Sequence, residues 1–167
     1  GQIKNNTATK SGGGIFNQGT INKSGGSITG NTANQHGGGV YNQGTFNLKG
    51  GYITGNKATN EGGGVYVTGT GVFTMNGGVI DGCKAKKGGG VAVANGGTFI
   101  MNNGTITGCN TDNEGGGLYI DEGSVNLAGG SITNSYTSNN STNGSIWLNG
   151  DKADMTISGP VTIKGKN

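Results

Sequence analysis

Apolar residues in this chain come in runs of three to five that alternate with polar ones, and each run is closed by Gly, Asn or Ser. Val40-Tyr41-Asn42, Thr45-Phe46-Asn47-Leu48 and Tyr52-Ile53-Thr54 are three such runs in succession. Period-two alternation over so short a span predicts half-buried strands. No segment carries the spacing of an amphipathic helix.

The runs also repeat. A Gly-triplet block followed by an aliphatic residue ends its triplet at Gly14, Gly39, Gly64, Gly90 and Gly117, and a degenerate copy, Asn143-Gly144-Ser145-Ile146-Trp147, follows. The steps are 25, 25, 26, 27 and 27 residues. A second block, Gly-Gly-x-Ile-Thr in its full form, places Ile28, Ile53, Ile80, Ile106 and Ile132, and Ile21, Phe46, Phe73, Phe99 and Val125 each stand seven residues before those isoleucines. A segment of fixed length flanked by variable ones is how strands differ from turns. The expected fold is therefore all-β: about six coils of 25–27 residues, three short strands per coil, in one domain over residues 1–167. Coils stacked at the parallel-strand spacing would form a rod about 25–30 Å long.

Stacking turns sequence columns into ladders. Ile15, Val40, Val65, Val91, Leu118 and Ile146 form one inward column, Leu48, Met75, Met101, Leu127 and Ile157 another, and the repeat isoleucines a third. Ala8, Ala33, Ala58 and Ala85 make a small-residue column near a corner. Lys23 interrupts the Leu/Met column in the first coil, and its ammonium is expected to reach out at a lightly covered end. Asn6, Asn31 and Asn56, followed by Cys83, Cys109 and Ser135, form an internal polar column whose amides need one another as partners. Asn17 and Asn42 start a shorter column that continues as Val67, Val93, Ile120 and Leu148.

Composition sharpens this picture. Of 167 residues 40 are Gly and only 30 are Leu, Ile, Val or Phe, which without a period would signal disorder. The net charge of +3 is too small for that class, and the glycines fall in columns. Eleven lysines and no arginine supply no guanidinium fork, which argues against nucleic-acid recognition, and no apolar run is long enough to enter a membrane as a helix.

These repeats resemble the glycine-rich units of right-handed parallel β-helices, the pectate-lyase-like fold. Gly37-Gly-Gly-Val-Tyr-Asn42, Gly44-Thr-Phe46 and Gly50-Gly-Tyr-Ile-Thr-Gly-Asn-Lys-Ala58 are most similar to the repeats of large bacterial surface and adhesin-like proteins. The resemblance covers nearly the whole chain. It implies right-handed coiling, an extracellular, cell-surface or wall location, and a non-enzymatic stalk or adhesion role with host glycan or protein ligands and no cofactor. Because the first residues match the middle of a repeat, the expectation is a segment of a longer protein or a module that associates end to end or along its edges.

Enzymes on this fold place carboxylates, Arg or Lys, and often calcium on one outer strand face. Here only Asp81 occupies an outward strand position, so neither a catalytic nor a metal-binding residue is assigned. A polysaccharide lyase or hydrolase is the alternative activity. Asp121-Glu122-Gly123 offers calcium too few ligands, and His36, Glu61, Lys87 and Glu114 read as a charge ladder at a turn. Cys83 and Cys109 stand at one repeat position. A disulfide is open to them by distance but disfavoured by parallel side chains, and two thiols are too few for zinc. Two outward columns are candidate binding surfaces. The first is aromatic, Phe16, Tyr41, Tyr66, Tyr119 and Trp147 with Ala92 as a gap, and it either stacks sugar rings or packs beneath a neighbouring turn. The second is a Ser/Thr face, Ser27, Thr29, Thr54, Thr105, Thr107, Ser131 and Thr133, either an ice-binding array or an ordinary exposed sheet.

Overall fold

The computed structural model describes residues 1–138 and 144–165, so Asn143 of the degenerate sixth block lies outside the described residues. The described chain holds 22 strands and no helix. All pairings are parallel, and the strands wind as a β-solenoid of about six turns. The Gly-triplet strands, Ile15–Asn17, Val40–Asn42, Val65–Thr68, Val91–Ala94, Leu118–Asp121 and Ile146–Asn149, stack as one six-stranded sheet. The remaining sixteen strands are hydrogen-bonded into a second sheet that folds round the other faces, because Val72–Asp81, Thr98–Thr107 and Gly130–Thr137 bend from one face onto the next.

The register follows the repeat. Ile15 faces Val40, Val40 faces Val65, and the column runs on through Val91 and Leu118 to Ile146. Phe46, Phe73 and Phe99 stack at 4.9 Å between successive ring centroids, inside the coil and without solvent exposure. The interior is thus filled by like residues lying on like residues, which is how a narrow coil reaches dense packing without a large core.

Each coil carries a fourth short strand beyond the three expected. Thr7–Ala8, Thr32–Ala33, Lys57–Ala58, Lys84–Lys87 and Asn110–Glu114 pair in sequence, and they contain the alanine column, which Thr111 continues as a buried residue. Two residues are too few to show alternation, so the pattern hides this face as a turn.

One triplet explains why three glycines recur. Gly37 has φ +66°, a left-handed corner that side-chain-bearing residues avoid. A Cβ on Gly38 would strike the backbone carbonyls of Lys57 and Gly63, and one on Gly39 would strike Gly64 O at 2.6 Å and meet Asn56 Nδ2 at 3.1 Å and Ile53 Cγ2 at 3.2 Å. The first glycine turns the chain, the second admits the adjoining coils, and the third clears the interior.

Lys23 is half-buried and does not extend freely from the end coil. Its ammonium curls back and donates to Gly25 O and Gly26 O, each at 2.8 Å, and to Gly50 O at 3.4 Å. Burial lowers its pKa from the usual lysine value. Gly26 O also accepts the backbone N–H of Tyr52 from the next coil at 2.9 Å.

Candidate functional sites

The aromatic column lies on the outer side of the six-stranded sheet, alternating with the inward Val65 and Val67. Its members differ sharply in exposure. Tyr119 is 0% exposed and Tyr66 5%, whereas Phe16 is 53% exposed and Tyr41 and Trp147 are half-buried. Phe16 stacks on Tyr41 at 4.7 Å, and Tyr41 stacks on Tyr66 at 5.3 Å. Beyond Tyr66 the cover comes from the turn before the triplets. His36 lies 4.6 Å from the Tyr66 ring, while Lys87 Nζ lies 4.8 Å from the Tyr119 ring centroid and donates to Tyr119 Oη at 3.0 Å. Tyr66, Ala92, Ala94 and Tyr119 therefore form a second small core outside the solenoid interior.

The residues that roof this core pair along the coils. His36 bridges Glu61, Glu61 bridges Lys87, and Lys87 faces Glu114. His36 Nδ1 stands 3.4 Å from Glu61 Oε2, and Lys87 Nζ stands 3.2 Å from Glu114 Oε2. Burial of Lys87 opposes its charged form, but bonds to Tyr119 and Glu114 outweigh burial and raise its pKa. With Asn60, Lys86 and Asn113 these residues line a cleft of about 470 Å³.

The Ser/Thr face forms hydroxyl ladders. Thr29 and Thr54 Oγ1 atoms are 3.0 Å apart, Ser131 Oγ donates to Thr105 Oγ1 at 3.2 Å, and Thr133 Oγ1 donates to Thr107 Oγ1 at 3.2 Å. Ser27 lies at the ladder's first turns, facing Tyr52, which is 56% exposed. Asp81 is exposed between Thr54 and Thr107. These columns share one sheet face but are interrupted at its middle by Tyr52, Val79 and Asp81.

Asp81 is not alone among acids on strands: the exposed Asp112 lies within Asn110–Glu114, Asp121 closes Leu118–Asp121, and the exposed Asp154 opens Asp154–Ile157. Lys84 Nζ lies 3.1 Å from Asp112 Oδ1, and this contact holds the Asp112 carboxyl below its ordinary pKa. Asn149 Nδ2 donates to Asp121 Oδ1 at 2.9 Å, and Lys152 Nζ pairs with Glu122 Oε1 at 3.5 Å. Among the described residues, no three His, Cys, Asp or Glu side chains converge as a metal site.

The inner polar column is continuous. Asn6 Nδ2 donates to Asn31 Oδ1 at 2.8 Å, and Asn31 Nδ2 to Asn56 Oδ1 at 3.0 Å. The same Oδ1 atoms accept the backbone N–H groups of Asn6 and Asn31. Asn56 Nδ2 reaches Cys83 Sγ at 3.9 Å, where the column passes to the two cysteines, both free and buried. Contact with Cys83, together with burial, pushes the Cys109 thiol well above the ordinary thiol range.

Of the two readings of the aromatic column, Tyr66 and Tyr119 show packing beneath a neighbouring turn; which side chains form the cover was not reached from the sequence. That cover is supplied by side chains one coil away from the rings they touch, a relation that in-register columns do not display. No helix among the described residues is long and apolar enough to cross a membrane. No protein-family description, curated protein or solved structure matches the chain.

Proposed function

We propose that the chain is a non-enzymatic stalk or adhesion module of a secreted or cell-surface bacterial protein, built on the pectate-lyase-like β-helix. The observation that carries this reading is the inner stacking of the middle coils. Phe46, Phe73 and Phe99 lie ring on ring, and Asn6, Asn31 and Asn56 bond amide to amide. Such a filled and bonded interior makes a stiff spacer whose surface is free to vary. The stacked pair Phe16 and Tyr41 supports a ligand contact at the first coils, because Phe16 presents an open ring face beside a polar rim of Gln18 and Gln43. Glycan rings or an apolar side chain of a host protein suit that face.

Glycan and host-protein arrays probed with the wild-type chain and with Phe16→Ala/Tyr41→Ala test this reading. The expected result is binding that the double variant loses while its circular dichroism is unchanged. Turnover of a polysaccharide by the wild-type chain, abolished by Asp81→Asn, would overturn it in favour of a lyase or hydrolase. The hydroxyl ladders favour a second reading, an ice-binding surface, and freezing-point hysteresis that is lost in Thr107→Val/Thr133→Val would establish that instead.

A further inference from the structure

The inner polar column changes chemistry at the fourth coil. Asp81 is the Cα partner of Thr107, and Lys84 that of Asn110, so Cys83 and Cys109 stand opposite each other on adjacent coils. Both are 0% exposed. They face Gly64 and Gly90, where an added Cβ would lie 3.4 and 3.3 Å from the respective sulfurs and closer still to Ile80 Cγ2 and Ile106 Cγ2, at 2.9 and 2.7 Å. Side chains on in-register parallel strands run side by side and keep roughly the strand repeat of about 4.8 Å. A disulfide needs its sulfurs about 2.05 Å apart, so this geometry resists one. Two metal–sulfur bonds set in line, each about 2.3 Å as in zinc thiolates, span about 4.6 Å. That span nearly equals the repeat.

We propose that Cys83 and Cys109 form a two-coordinate site for one thiophilic d10 cation, held in line between the two sulfurs. Two thiols are too few for a tetrahedral ion but suffice for a soft one that accepts linear coordination. The apolar surroundings, Ile80 and Ile106 among them, exclude hard ions that keep their water. Electroneutrality sets the stoichiometry. With Hg(II), two S–H bonds break, two S–Hg bonds form, two protons pass to solvent and no electron moves, so the buried unit is neutral. A monovalent ion such as Cu(I) reaches neutrality when one thiol keeps its proton. The site is independent of the proposed function.

The column itself supplies folded controls, because Asn occupies this position in earlier coils and Ser in the last: Cys83→Asn and Cys109→Ser. The full-length reduced chain and both variants are titrated with Hg(II) chloride, following thiolate–metal absorbance, proton release and thermal unfolding, and the loaded chains are then challenged with excess monothiol to compare retention. The expected wild-type result is one ion and two protons per chain with a raised Tm. Each variant should bind roughly 100-fold more weakly or worse, having lost the effective concentration of the second thiol, and should show no Tm rise. Two ions per chain, one proton per ion, equal retention by the variants, or loss of the fold on binding would each overturn the proposal.

Discussion

Tyr66 is 5% exposed although it projects from the outer side of its sheet, because Tyr41 stacks on one face of its ring and His36 lies against it. Burial, reinforced by the Glu61 carboxylate, raises its phenol pKa from 10.0 to about 12. In the unfolded chain the phenol ionises near the lower value. Between pH 10 and 12 the folded state therefore holds a proton that the unfolded state has lost, and stability falls as pH rises. Below pH 10 the contribution is complete. The expected outcome is a denaturation midpoint that drops across this window in the wild type and drops less in Tyr66→Phe. Equal drops in the two proteins would show that Tyr66 is not shielded. Left-handed corners also operate at this scale. Asn5, Gly30, Gly55, Gly82, Gly108 and Asn134 all have φ between 53° and 64°, so asparagine takes the glycine's place at both ends of one column.

At the scale of the element, the same residue type has different consequences according to what its coil meets. Gly38 has backbone carbonyls of two neighbouring segments where a Cβ would sit, whereas Gly55, at φ +60°, has nothing within 4 Å. Gly55→Ala should cost about 1–2 kcal/mol, the left-handed penalty alone. Gly38→Ala should cost more than that because two strands must separate, and urea denaturation ranks the pair. Phe73 sits between two stacked rings, so Phe73→Ala should lose about 3–5 kcal/mol by the same measurement. A Phe73→Ala loss no larger than that of the exposed Phe16→Ala would contradict the stacked interior. The inward columns were legible in the sequence because seven residues always separate Phe46 from Ile53, Phe73 from Ile80 and Phe99 from Ile106. The fourth strand was not, since Thr32–Ala33 is too short to alternate. Packing of the aromatic column beneath a turn was one of its two readings, but the cover of Tyr119 was not legible, because Lys87 belongs to the preceding coil and lies 32 residues away in sequence. Lys23 was legible as an interruption, but its carbonyl partners depend on how the chain turns at Gly25 and Gly26.

At the scale of the whole molecule, each coil is held by its neighbours, and the inner coils have two of them. Val65 N–H bonds Gly90 O at 3.0 Å, and Val91 N–H bonds Gly117 O at 2.9 Å, each beside fully buried side chains. The end coils are thinner. Ile3 is 36% exposed at one end, and Ile157 and Ile163 are 53% and 40% exposed at the other. Stability in a stack of this kind is shared through interfaces, so opening is expected to begin at the ends and to reach the middle only with global unfolding. Residue-resolved amide hydrogen exchange tests this most directly. The account predicts that Val65 and Val91 exchange only through global opening, while the Val161–Gly165 strand exchanges much faster. Exchange at Val65 and Val91 as fast as in Val161–Gly165 would contradict a solenoid held together by its stacked columns.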